Sequence, residues 1–235
     1  MRVVVSWSGG KESCLAHHKS VVQGHEIAFL ITFILDDWPS VCHPLSIMSL
    51  QSEALETRHL TFKVREPYLD GYRNVISNLA RKEGIEGIVT GDIWIDDHRR
   101  WMENVCSGLP VVPIIPLWGA DRAQLLAEFV SQGFKAVFTC VKEPWFNEKW
   151  LGRQLDKECL IELGDLQSEF GIDRCGENGE YHTMVLDGPT FSGSIRIEES
   201  SREKKDSMFF LKAHRLSLQR KVAQSEDSIP ENRIS

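Results

Sequence analysis

Two short stretches hold the residue types that could do chemistry. The first is Ser6-Trp7-Ser8-Gly9-Gly10-Lys11-Glu12-Ser13, with hydroxyls, paired glycines, a lysine and a carboxylate. Paired glycines permit positive φ and let backbone approach a ligand closely. If a strand leads in and a helix leads out, the first-turn amides and the positive end of the helix dipole would hold an anion such as phosphate. The spacing fits neither Gly-x-x-x-x-Gly-Lys-Ser/Thr nor Gly-x-Gly-x-x-Gly. The bland alternative is an ordinary strand-to-helix turn. The second stretch runs Cys175-Gly176-Glu177-Asn178-Gly179-Glu180-Tyr181-His182-Thr183. It gathers two carboxylates, a tyrosine, a histidine and a threonine around two glycines. By itself a hairpin turn explains it as well as a site does.

The elements needed to position the first loop are present. Val3-Val4-Val5 reads as a buried strand, since β-branched side chains pack well on a pleated sheet. A helix is expected over residues 12–23, with Gly24 at its end. Residues 26–35 read as a second buried strand ending at Asp36-Asp37, which places Thr32, Phe33 and that acidic pair near the ligand, because ligands collect beyond the carboxyl ends of strands in open α/β sheets. A loop carrying Cys42 and His43 follows, then a helix over 45–58. Further strands are expected at 61–64, 87–90, 111–115 and 134–140. Tyr72, Val75, Ile76, Leu79 and Ala80 follow helical periodicity. Residues 97–106 read as a helix with a solvated charged face, and Asp121 with Gln124 marks another helix start. The fourth strand ends at Gly91-Asp92, a second glycine at a strand's carboxyl end.

This alternation predicts an α/β fold, an open parallel five-stranded sheet with helices on both faces. Residues 1–142 are expected to form the nucleotide domain and 143–222 a smaller α+β substrate domain, with a frayed tail over 223–235. Trp145, Phe146 and Trp150 should bury against the first domain or line a pocket. A basic stretch over 202–221 reads as a solvated strand or helix.

Composition narrows the class. Of 235 residues, 42% are hydrophobic and 26% charged, which is ordinary for a folded protein. A net charge of -7 argues against a broad nucleic-acid surface. Six cysteines with no C-x-x-C pair suggest neither zinc ribbon nor disulfide framework, and are expected to be reduced thiols of a cytoplasmic protein. No apolar run approaches a membrane span, so no membrane partner is expected.

The glycine loop resembles the SGGxDS loop of the N-type ATP pyrophosphatases, with Glu12 where that pattern more often has Asp. The two stretches in this order are similar to the diphthine–ammonia ligase family, over residues 1 to about 200. Gly91-Asp92, Arg99-Arg100 with Glu103, Pro116-Leu117-Trp118-Gly119 and Trp150-Leu151-Gly152-Arg153 also match its pattern, and His43 falls where the family places a histidine. The resemblance implies an adenine nucleotide α-hydrolase fold. It also implies that a substrate carboxylate attacks the ATP α-phosphate, and that ammonia then displaces AMP to leave an amide. Ser6, Ser8, Gly9, Gly10, Lys11, Glu12, Ser13, Thr32 and Gly91 would bind ATP. Lys11 and Mg²⁺ would offset the charge of leaving pyrophosphate, with Glu12 or Asp92 as metal ligand. Glu177, Glu180 and His182 would handle ammonia, one carboxylate attracting ammonium and His182 taking its proton. His43, Arg100, Trp150, Arg153, Gly179, Tyr181 and Thr183 would face the acceptor, diphthine on elongation factor 2 or another carboxylate. The oligomeric state is left open, a homo-oligomer included. Two rival readings are a tRNA-modifying enzyme of the same adenylating chemistry and a nucleotide sensor without catalysis.

Overall fold

The three valines lie in β1 (Arg2–Ser6) and are fully buried, as a strand covered on both faces requires. The chain continues through α1 (Lys11–Val22), β2 (Glu26–Leu35), α2 (Leu45–Ala54), β3 (His59–Val64), α3 (Tyr68–Glu83), β4 (Gly87–Val89), α4 (Asp96–Cys106) and β5 (Val112–Ile114). These strands form one sheet in the order β3-β2-β1-β4-β5, with every pair parallel. The order reverses between β1 and β4, which opens a crevice at their carboxyl ends. The computed structural model describes residues 1–35 and 44–221, so Asp36-Asp37, Cys42, His43 and the tail over 223–235 lie outside the described residues.

Local signals set the helix ends. Gly84 takes a left-handed conformation (φ 67) and its amide bonds Ala80 O, closing α3. Asp121 accepts from Gln124 N at 2.9 Å to start α5 (Arg122–Ser131). Val4, Ile31 and Phe33 face α3 and α4 in one core. Val3, Val5 and the α1 residues face the other way.

That second face is covered by α1 and α2, and an antiparallel sheet packs on the far side of these helices. After α5 come β6 (Lys135–Lys142), a 3₁₀ turn (Glu148–Trp150), α6 (Lys157–Phe170), β7 (Tyr181–Asp187), β8 (Gly193–Lys205) and β9 (Met208–Arg220). The four strands lie in the order β7-β6-β9-β8. Residues 134–140 were expected to close the first domain at 142. Instead β6 pairs antiparallel with β7 and β9, so the architecture changes before it, not after. The preceding β–α rhythm hid this, because both partners of β6 lie far ahead in the chain. The basic stretch over 202–221 falls on the β8–β9 hairpin. Phe146 is buried, and Trp145 and Trp150 pack on the same core.

One buried side chain ties the two sheets to the glycine loop. Gln51, on α2 and fully buried, donates to Gly9 O (2.9 Å) and Val185 O (2.8 Å), and accepts from the Trp7 indole (3.0 Å). Gly9 also accepts from Val185 N at 3.1 Å. Gly9 has φ 77, and a Cβ there would lie 2.7 Å from Gln51 Oε1, so both conformation and space require glycine. Gln51→Ala should lower the urea midpoint with an unchanged slope, by about 2–4 kcal/mol, because a buried donor and acceptor lose their partners.

Candidate active site

The loop after β1 is built as an anion cradle. Gly10 is the N-cap of α1 and no side chain caps that end, so first-turn amides are left for a ligand. The serines brace the turn: Ser8 and Ser13 hydroxyls lie 3.2 Å apart, Gly10 N donates to Ser8 Oγ (3.3 Å), and Ser13 Oγ donates to Gly10 O (3.0 Å). Gly91, two residues past β4, must also be small. A Cβ on Gly91 would lie 2.8 Å from the Glu12 carbonyl carbon, so only glycine lets this end of β4 pack against the first turn of α1.

Facing the cradle is the turn that leads into β7. The two walls enclose a cleft of about 560 Å³. Lys11 joins them: its Nζ donates to Cys175 O at 2.6 Å, lies 2.5 Å from Glu12 Oε1 and sits 4.7 Å from the Tyr181 ring centroid. Burial alone would lower its pKa, but the charge of Glu12 and the neighbouring acidic groups outweigh that and hold it above the ordinary value. Lys11 is therefore a fixed ammonium. Glu177 behaves oppositely. Burial first, then the charge of Glu12, pushes its carboxyl up to about 7, against a smaller opposing pull from Lys11. The Cys175 thiol is pushed up to about 12 by burial, which favours its protonated form.

Ser6, Ser8, Gly10, Lys11, Glu12, Ser13, Gly91, Asp92, Glu177, Gly179, Tyr181, His182 and Thr183 all line the cleft. Thr90 and Thr183 are buried there with hydroxyls that have no hydrogen-bond partner among the described residues, as expected of groups that meet a ligand.

Several expected residues are elsewhere. Glu180 is not in the cleft: its carboxylate accepts from Asp173 N (2.7 Å) and Asn178 N (3.0 Å), so it shapes the turn that aims Glu177. Thr32 donates to Trp7 O at 2.6 Å inside the core. Gly9 faces Gln51. Arg100 points into solvent, because one helical step separates it from the inward Trp101. Trp150 packs edge-on to Phe138 and Phe146, and Arg153 is held by both oxygens of Glu162, so neither reaches the cleft. His43 lies outside the described residues. Sequence reading missed Met48, Tyr72, Thr90, Ile95, His98, Trp101 and Met102. The positions 95, 98, 101 and 102 carry a helical spacing that could have revealed α4's inner face. Asp92 meets His98 Nδ1 at 3.0 Å rather than Glu12, and among the described residues no group of three His, Cys, Asp or Glu forms a metal nest.

An open parallel sheet with an uncapped glycine loop at its switch point defines a nucleotide-binding α/β protein. The comparisons are more specific. Family models described as the diphthamide synthase N-terminal and C-terminal domains match residues 1–112 and 121–218. The chain belongs to this diphthamide synthase family. A Homo sapiens protein named diphthine–ammonia ligase is 30% identical, covering 99% of this chain and 96% of its own. The Mus musculus protein of that name is 28% identical over 95% of this chain and 94% of its own. A solved structure titled as a predicted subunit of a tRNA methyltransferase, from Methanocaldococcus jannaschii, is 18% identical. It covers 80% of this chain and 97% of its own with a TM-score of 0.47, a likeness that bears on neither fold nor function.

The Glu177 environment has two measurable consequences. Its folded-state value near 7 lies above the ordinary 4.5, so the unfolded chain releases this proton first, and stability should fall as pH rises from 4.5 to about 7. Glu177→Gln should remove that fall, read as melting temperatures at pH 5 and 8. If Glu177 is the base, kcat/KM should rise through about pH 7, and Glu177→Gln should lower it about 10²-fold and remove that limb.

Proposed function

We propose that this chain is an ATP-dependent ligase that turns the carboxylate of diphthine on elongation factor 2 into an amide. The observation that carries the reading is one cleft in which the uncapped start of α1 faces Glu177, a carboxyl poised near neutrality. An acceptor carboxylate oxygen attacks the α-phosphorus of ATP. The bond to the bridging oxygen breaks, and pyrophosphate leaves toward the loop amides and Lys11. Ammonia then attacks the acyl carbon, the acyl–oxygen bond to AMP breaks, and the proton lost from nitrogen goes to Glu177 or His182.

Three carboxylates, Glu12, Asp92 and Glu177, line the cleft beside Lys11. ATP would not enter such a field unaccompanied, which supports Mg²⁺ as the counter-charge. Glu12 and Asp92 would hold the ion together with phosphate oxygens, the sparse protein ligation Mg²⁺ ordinarily accepts. The same acidic walls disfavour tRNA, and a sensor would not need Glu177 held near neutrality. An acceptor on a translation factor would be met in the cytoplasm. Among the described residues no helix is long and apolar enough to cross a membrane.

Nucleotide products formed from Mg·ATP and ammonium test the proposal. AMP and pyrophosphate are expected only with diphthine-bearing elongation factor 2, and Lys11→Ala should reduce the rate about 10²-fold or more by removing a fixed charge at the leaving group. ADP and phosphate, or acceptor-independent turnover, would contradict it.

A further inference from the structure

Tyr72 and Trp101 line the cleft, yet neither adenylation nor amide formation as described uses them. Tyr72 comes from α3 and Trp101 from α4. Their rings meet edge to face, with centroids 5.6 Å apart and planes at 83°, which makes a right-angled corner of aromatic surface. The corner is rigid, because Tyr72 stacks at 3.8 Å on Phe33, itself buried on β2. Trp101 also walls a shallow groove along Glu66, Pro67, Tyr68 and Leu69. Among the described residues Trp101 is thus shared by the cleft and this surface groove, the side from which a side chain on a folded protein would reach in.

The charge around it favours a cation. Lys11 is the one lysine or arginine among the described lining residues, and it is already engaged by Glu12 and Cys175 O. With Glu12 paired to Lys11, Asp92 and Glu177 remain as the acidic groups of the described lining. A flat purine would use one ring face. A tetrahedral cation clothed in methyl groups would touch both walls of a corner, and the ring quadrupoles attract it.

We propose that Tyr72 and Trp101 form a cation subsite that takes the quaternary ammonium group of the acceptor side chain. The proposal rests on the acceptor named above, since diphthine carries a trimethylammonium group on the carbon beside its carboxylate. Such a group has no N–H to donate, so aromatic faces and carboxylate charge are the means of recognising it. Binding the ammonium in the corner holds the adjacent carboxylate toward the loop, where the α-phosphate must come. Tyr72 and Trp101 are thus positioning residues, not catalytic ones.

The test has a binding arm and a kinetic arm, with Trp101→Leu and the conservative Trp101→Phe both checked for an unchanged urea midpoint. In saturation-transfer NMR, tetramethylammonium should bind the wild type, and neutral tert-butyl alcohol of similar shape should not. Trp101→Leu should weaken tetramethylammonium binding and raise the acceptor KM about tenfold, the scale of a desolvated cation–π contact, with the Mg·ATP KM unchanged and Trp101→Phe in between. A rise confined to the Mg·ATP KM would make the pair an adenine platform and overturn the proposal. So would equal tetramethylammonium binding by wild type and Trp101→Leu. If tetramethylammonium binds as expected but diphthine-bearing elongation factor 2 releases no AMP, the subsite stands and the proposed acceptor falls.

Discussion

Everything at the site depends on holding the Gly9 carbonyl from behind. A loop that is to offer its amides to an anion must leave them unsatisfied, so it cannot be stabilised from the ligand side. Here it is fixed from the opposite side, by Val185 N and by Gln51, whose amide also bonds Val185 O and the Trp7 indole. The serine hydroxyls finish the brace within the turn. Buried amide bonds of this kind are strong locally and costly to leave unmade, which gives the loop one conformation before ligand arrives. Because Val185 lies on β7, the second sheet completes the cradle as well as packing on the helices that cover the first.

The same joint sets the electrostatics. The turn before β7 brings Cys175 O onto the Lys11 ammonium and carries Glu177 into the cleft. Glu180, three residues on, accepts two backbone amides and holds the turn in shape. Two carboxylates of one motif thus have different work, one satisfied and structural, the other desolvated and poised. Burial among Glu12, Asp173 and Asp92 keeps Glu177 near neutrality, so it can exchange a proton at working pH.

How much of this could be read from sequence follows from which signals are local. The buried valine strand, the glycine loop, the left-handed Gly84 and the Asp121 cap declare themselves within a few residues, and the structure keeps them. β6 was misplaced because its partners, β7 and β9, lie far ahead in sequence, and nothing in Phe134-Lys135-Ala136-Val137 marks it as antiparallel. Within the site, residue type was legible but orientation was not. Glu177 and Glu180 look equivalent in the chain, and only the amides of Asp173 and Asn178 decide between them. Arg100 drew attention by charge while its neighbour Trp101 held the inward position. Trp150 and Arg153 matched a family pattern, yet their partners are core rings and Glu162.

The account stands or falls on oxygen transfer from acceptor to nucleotide. With the acceptor carboxylate labelled by ¹⁸O and the reaction run with ammonium, mass spectrometry of the released AMP reads the step directly. One labelled oxygen in AMP is the result predicted, since the acceptor oxygen stays on the α-phosphorus when ammonia displaces the acyl group. Label in inorganic phosphate, or unlabelled AMP alongside amide product, would contradict adenylation as the activating step.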